Sequence, residues 1–488
     1  MNCIRSNRHS SSHACLTPPP LLVASRSAQS TTDSHRLAIG FAVTVSCFLL
    51  FLLFGTNLFA AGYGIVTTRE IRANSTQLTA FENHKAQRGY SVHTFDESDW
   101  GGVGLTGDAA SEALRTFLQS ADSQYELDYL LIIGDPRSSV GPVPMKSLYP
   151  RNQDDGCSFS TIEVPSDYYY ATLNGNWDLD GDNQYGEFGT ITGDFGAGGI
   201  DRNHELFPGR IPVYGDSNQP SLFSQSVQDL DHILQKTMAY QTQQDISWRN
   251  SALIAAEGAN RLFYGEQIKD DLLAPNGFSD YRVYDSAGIT LPDPPDATTC
   301  SIPNVKAGWD ATNPGIVTWL THGGGTGAAA VMDVPTAALL DDNFPVITWQ
   351  ASCLNSVPSN TNNLSYELLI NGAIATVGFT QISHGPGSEV DLTTDAHLSG
   401  IAGLGYGYIS RVGIDALTVG QALMELKRDS TLYGRCWYWH NHVGANLYGD
   451  PEISLFDMGT NAVPEPAAAL LLFVGLTCLP RRRRKCRA

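Results

Sequence analysis

Gly315-Ile-Val-Thr-Trp-Leu-Thr-His-Gly-Gly-Gly325, a polar gap, then Phe344-Pro-Val-Ile-Thr-Trp-Gln-Ala-Ser-Cys-Leu-Asn355 is the stretch that decides the fold. Each half is a short apolar, β-branched run that ends in a reactive side chain. Ile316–Leu320 reads as a buried strand with His322 just past its end. Val346–Gln350 reads as a second, with Cys353 just past that. Open α/β sheets place their sites outside the carboxyl ends of strands. The pattern therefore offers an imidazole and a thiol at one edge of one sheet. A nearby imidazole can hold a cysteine as thiolate. The glycines after His322 leave the backbone open to a substrate, and the N–H groups of Gly323 and Cys353 are placed to donate to a developing oxyanion. Either residue alone reads as a loop histidine or a small buried hydrophobe. Their pairing past two strand ends is what points to chemistry.

Outward from this stretch, strand and helix patterns alternate. Tyr63–Thr67, Tyr90–Phe95, Leu127–Ile133 and Phe207–Val213 read as strands, with helices over Thr76–Gln87, Ala109–Ser120 and Leu222–Gln241. A second series follows: strand Ala252–Ala256, helix Gly258–Leu273, strand Tyr281–Tyr284, the two strands above, helix Leu364–Ile370, strand Ala373–Gly378, helix Val419–Lys427, and a closing turn and strand over Leu447–Phe456. Such alternation predicts an α/β fold, a parallel sheet with helices on both faces.

Between the two series, Asn174-Gly-Asn-Trp-Asp-Leu-Asp-Gly-Asp-Asn-Gln-Tyr-Gly-Glu187 packs carboxylates densely. Asp178, Asp180 and Asp182 alternate and Glu187 follows. Oxygen ligands at this spacing suit a structural calcium ion. The spacing departs from an EF-hand loop, with Gly181 at the fourth position and no acidic residue at the twelfth. A solvated acidic turn is the alternative.

The 488 residues carry a formal net charge of −20 and are 42% hydrophobic. The chain can build a large core, and its acidity argues against nucleic acid as a partner. Of nine cysteines, only Cys157, Cys300, Cys353 and Cys436 fall in the body, and no Cys-x-x-Cys pair suggests zinc. Cys157 has Cys300 and Cys436 as candidate disulfide partners.

The ends differ from the body. Residues 1–36 are Ser-, Pro- and Arg-rich, and Leu37–Ala60 is an apolar run ending in small residues. Together they read as a leader and export signal, cut by signal peptidase near Ala61. An uncleaved membrane anchor is the alternative. At the other end Val463-Pro-Glu-Pro466 precedes the apolar Ala467–Leu479 and five basic residues, Arg481–Lys485. The expected division is 1–61 leader, 62–248 first β/α subdomain with the acidic loop, 249–457 second subdomain with His322 and Cys353, and 458–488 tail.

The His-Gly pair after a strand, followed about thirty residues later by Ala-Ser-Cys-Leu-Asn, resembles the gingipain family of cysteine peptidases. Its members belong to the caspase-like group, in which His precedes Cys. Gly134-Asp135, Gly209-Arg-Ile-Pro212, Ala255-Ala-Glu-Gly258, Gly372-Ala-Ile-Ala-Thr-Val-Gly378 and Tyr448-Gly-Asp-Pro451 also resemble family segments, in the same order, and the likeness covers residues 63–457. The resemblance implies a three-layer caspase-like domain. It implies Cys353 as nucleophile, His322 as base and proton shuttle, Glu257 as the acid that orients the ring, and a protein or peptide substrate. The tail resembles the PEP-CTERM sorting signal, which implies an exosortase as partner and transient membrane contact through both termini. A sortase-like transpeptidase or amidase with the same dyad, and an inactive surface protein that keeps the fold, are the competing readings.

Overall fold

The computed structural model describes residues 60–151, 162–190, 193–258, 261–385, 391–393, 400–429 and 436–458. The export signal, the sorting tail and Cys157 lie outside the described residues. Among the described residues no helix is long and apolar enough to cross a membrane.

One ten-stranded sheet organises the chain. Its strands are β1 (Gly62–Val66), β2 (Ser91–Phe95), β3 (Leu127–Gly134), β4 (Phe207–Pro212), β5 (Ser251–Ala256), β6 (Ser279–Tyr284), β7 (Ile316–Leu320), β8 (Val346–Ala351), β9 (Ala373–Phe379) and β10 (Ala445–Gly449). Their order is β2-β1-β3-β4-β10-β9-β8-β7-β5-β6. All neighbours are parallel except β9 and β10, which pair antiparallel from Ala375↔Gly449 to Phe379↔Ala445. The sheet is therefore two parallel blocks running in opposite directions, the α/β sheet expected, mostly parallel with one antiparallel pairing. The reversal falls between β9 and β10. The helix Cys436–Gly444 runs straight into β10, which lies parallel to β4 of the first block through Tyr448↔Arg210.

Alternate residues of the strands feed different cores. On β3, Leu130 and Ile132 face one cluster, and Tyr129, Leu131 and Ile133 face another. On β7, Ile316 and Leu320 join the first, whereas Val317 and Trp319 join a third beneath the second block. Burial on both faces is why these strands read as continuous apolar runs. The helix Pro220–Thr242 buries Leu230, Ile233 and Leu234, the stripe its 3.6-residue period predicts.

Two segments differ from the sequence reading. Leu262–Gln267 is an α-helix, but Ile268–Leu273 continues it as a π-turn. The strand near the end precedes the Gly449-Asp-Pro turn instead of following it. Gly449 has φ +124°, and a Cβ there would lie 2.8 Å from the Ile374 carbonyl oxygen, so the turn needs glycine.

Behind this turn lies a buried ionic network. Lys85, wholly buried, pairs with Asp450, and its Nζ lies 2.6 Å from Glu452. Arg88 pairs with Glu452 and, at 2.8 Å, with Asp457. Tyr63 donates to Asp450 at 2.7 Å, and Tyr90 to Glu452 at 3.1 Å. The Tyr-Gly-Asp-Pro segment is thus the anchor that ties the end of the domain to its first strand and to the helix Leu78–Gln87.

Candidate active site

β5, β7, β8 and β9 run in one direction and deliver their carboxyl ends to one edge. Four loops leave that edge. The first carries Glu257 and Arg261, the second His322 and Gly323, the third Cys353 to Asn355, and the fourth Ile382 to His384.

His322 opens a glycine hairpin in which Gly323 pairs with Ala328 and Gly324 with Gly327. Ala329 N–H donates to the His322 carbonyl at 2.8 Å. That bond makes Gly323↔Ala328 a non-hydrogen-bonded pair, so the Gly323 N–H points off the hairpin. Gly323 packs directly on the Cys353 loop: a Cβ at this position would lie 2.4 Å from Cys353 O and 2.8 Å from Cys353 N. The Cys353 N–H donates to no backbone carbonyl among the described residues. Next to Cys353, Leu354 has φ +62°, a left-handed conformation costing a non-glycine residue about 1–3 kcal/mol.

The Cys353 sulfur sits in a polar wall. Ser383 N–H approaches Sγ at 3.4 Å and Ser383 Oγ at 3.6 Å, while the thiol reaches Ser383 O at 3.5 Å. The Ser383 loop is pinned from behind by the helix Cys436–Gly444. Asn441 accepts from His384 N–H at 2.8 Å and donates back to His384 O at 2.9 Å, and His440 Nε2 contacts Ile382 O at 2.7 Å. Burial, reinforced by Arg151, pushes His384 down to about 4 and His440 down to about 3. Both are too weakly basic to serve as a general base near neutral pH.

Glu257 does not touch the imidazole. Its carboxylate pairs with Arg261, and Thr321 Oγ1 reaches it at 3.4 Å. Arg261 Nη2 lies 2.7 Å from His322 Nε2, so the guanidinium stands between the carboxylate and the ring. An arginine only donates, so this contact assigns the ring proton to Nδ1. Among the described residues no hydrogen bond joins His322 to Cys353.

Cys300, the other free cysteine described, is buried. Its thiol is pushed up to about 12 by burial, with Asp285 and Glu257 adding to it.

In the acidic loop, one carboxylate oxygen from each of Asp178, Asp180 and Asp182 falls within 4.8 Å of the others. Glu187 lies outside that group of three and is buried. Its carboxyl is pushed up to about 8 by burial first, and then by Asp182, Asp180, Asp194 and Asp178. Asp194, which the sequence reading passed over, closes the loop by accepting from Leu179, Gly186 and Glu187 N–H at 2.5, 2.7 and 2.9 Å. Hard oxygens concentrated in one turn fit a calcium ion.

Sequence reasoning also missed Arg261, Asn355 and Ser383. Arg261 sits four residues after Glu257, the spacing of a helical ion pair, and that was its only signal. Ser383 carried none, because nothing local says that the loop after β9 folds onto Cys353.

No curated protein sequence matches this chain. Among solved structures, the Arg-specific cysteine proteinase gingipain R is similar, with a TM-score of 0.55 at 14% identity, covering 81% of this chain and 78% of its own. The complex of the pro- and mature domains of Porphyromonas gingivalis RgpB is similar too, with a TM-score of 0.56 at 14% identity, covering 80% and 79%. At that identity the likeness speaks for the fold alone. The family model of peptidase family C25 matches residues 57–456; the chain belongs to that family and is a cysteine-type peptidase.

Proposed function

We propose that the chain is an exported endopeptidase in which Cys353 is the nucleophile and His322 its acid and base. The observation that carries this is the packing of Gly323 on the Cys353 backbone, which brings the imidazole loop and the thiol loop together. The thiolate attacks the peptide carbonyl carbon. The oxygen that gains the charge is met by the N–H groups of Gly323 and Cys353. Imidazolium then gives its proton to the departing amine, leaving a thioester. Water, deprotonated by the ring, attacks the thioester and releases the acid and the thiol.

Glu257 enters this cycle through Arg261. An imidazolium has no lone pair to accept from a guanidinium, so the Arg261 contact on Nε2 must open when the ring is charged. Glu257, the carboxylate already held beside Thr321, then stabilises the cation. Hydrolysis of a peptide library by the wild type, with water as acceptor even when an amine is added, tests the reading. Amide products formed in preference to acids would assign a transpeptidase instead.

Calcium held by Asp178, Asp180 and Asp182, with Glu187 as the fourth carboxylate, belongs to the same reading. The loop leans on the active-site wall: Trp177 stacks on Trp439 at 6.1 Å, and Trp439 Nε1 donates to Gly186 O at 2.7 Å. Trp439 lies in the helix that pins Ser383. Calcium is therefore expected to raise the melting temperature with concentration and to raise turnover alongside it. Asp180→Asn should remove both responses. An unchanged melting temperature and no heat of binding in calorimetry would exclude the ion.

Export and processing complete the proposal. The apolar run ending near Ala61 and the Pro-Glu-Pro tail with its basic cluster are taken to be removed by signal peptidase and an exosortase. Intact-mass measurement on protein from its own host should find a chain lacking both ends. Recovery of the full 488 residues would rule this out.

A further inference from the structure

We propose that Asn355 is the positioning residue that assembles the oxyanion hole. Its carboxamide ties the hairpin bearing the Gly323 N–H to the turn bearing the Cys353 N–H. This rests on the reading of Cys353 as nucleophile given above and adds to it the device that sets the two donors in register.

Asn355 is wholly buried, as are its partners Ser352 and Trp319. Its Nδ2 donates to Gly324 O at 2.8 Å and to Gly327 O at 3.1 Å, one carbonyl on each strand of the His322 hairpin. Its Oδ1 accepts from Ser352 Oγ. Ser352 Oγ in turn accepts from Trp319 Nε1 at 2.9 Å. The orientation of the amide follows from this chain. An indole N–H can only donate, so the Ser352 hydroxyl spends its own proton on Oδ1, and both Nδ2 protons are left for the hairpin. Every polar atom of the side chain is satisfied, which is the condition under which a buried polar network specifies one arrangement.

The clamp sits where the backbone needs one. Leu354, between Cys353 and Asn355, is held at φ +62°, and Gly323 approaches Cys353 too closely to admit a side chain. Strain persists only where its surroundings over-determine it. Here the Leu354 N–H bond to Gln381 O at 3.2 Å holds the turn on one side, and the Asn355 carboxamide holds it against the hairpin on the other. Without the carboxamide the Gly324 and Gly327 carbonyls keep only their partners within the hairpin, and nothing else among the described side chains links Gly324 and Gly327 to the cysteine turn. The imidazole and the thiol remain on separate strand ends. The register of the two oxyanion donors is what the clamp controls.

The test separates oxyanion stabilisation from thiol reactivity. Hydrolysis of dye-labelled casein passes through a tetrahedral oxyanion. Alkylation of Cys353 by iodoacetamide forms a carbon–sulfur bond and expels iodide with no oxyanion. Asn355→Ala in the full chain is expected to lower the hydrolysis rate about 10²-fold, the cost of losing one oxyanion donor, and to leave the alkylation rate of Cys353 unchanged. Ser352→Ala, which frees the carboxamide to turn, is expected to show the same split to a smaller degree and decides the matter if Asn355→Ala does not fold. Unchanged hydrolysis in the folded variant overturns the proposal, as does a parallel fall of hydrolysis and alkylation. Cys353→Ala is the control. If it still hydrolyses casein, the reading of the site fails. If it is inactive and Asn355→Ala shows no split, only the role of Asn355 fails.

Discussion

Cys353→Ala abolishes peptide hydrolysis, a loss on the order of 10⁶-fold if the thiol and its base act as a unit, and leaves the melting temperature where it was. The stability follows from the site. Cys353 is only part-buried, and its sulfur makes three long contacts, all to Ser383, so the methyl group of alanine forfeits little packing. His322→Ala is expected to cost about as much activity. Its ring is exposed, so its stability should move by no more than about 0.5 kcal/mol. Glu257→Gln removes only the charge that stabilises the imidazolium and should cost less than either. Labelling gives a check independent of turnover. Iodoacetamide should reach Cys353 well before Cys300, whose buried thiol is pushed up to about 12, and His322→Ala should slow that labelling. Should a folded Cys353→Ala protein still cleave peptides, the nucleophile lies elsewhere.

Lys85→Met is the largest expected loss of stability, about 3–5 kcal/mol. It removes the cation shared by Asp450 and Glu452 and leaves both carboxylates buried, with Arg88 still on Glu452. Coulombic attraction to Lys85 and Arg88 outweighs burial and holds Glu452 well below the ordinary glutamate range. A carboxyl with a depressed folded pKa contributes stability that is fully present above its unfolded value. That stability is lost as the pH falls, here from about 4.5 toward about 2. In the variant the logic inverts, because Glu452 keeps only Arg88 as a cation and a carboxylate left without its cation can be relieved by protonation. The gap between wild type and variant should therefore be widest near pH 7 and narrow in acid. Urea denaturation at pH 7 and pH 3 measures it. An equal gap at both would mean that the network is not ionic in the way its geometry implies.

The sequence by itself determined most strands of the sheet and placed His322 and Cys353 past the ends of two of them. Strands buried on both faces, such as Leu127–Gly134 and Ile316–Leu320, announce themselves because nearly every residue is apolar, Asp128 and Thr318 apart. A thiol and an imidazole each one or two residues past such a strand have no other edge to occupy. The acidic loop was legible for a similarly local reason, since Asp178, Asp180 and Asp182 alternate within one turn. What the tertiary structure decided is long-range. That the two blocks run in opposite directions, with β10 set between β4 and β9, is settled by pairings such as Tyr448↔Arg210 and Ala375↔Gly449, between residues far apart in the chain. That Glu257 meets Arg261 before it meets His322 depends on a side chain reaching 2.7 Å from a ring 61 residues away. Asn355 stood in view beside Cys353, but its partners Gly324 and Gly327 lie across a hairpin whose register no local pattern encodes. Periodicity reports which face of an element is buried; only the fold determines which loops meet at the edge.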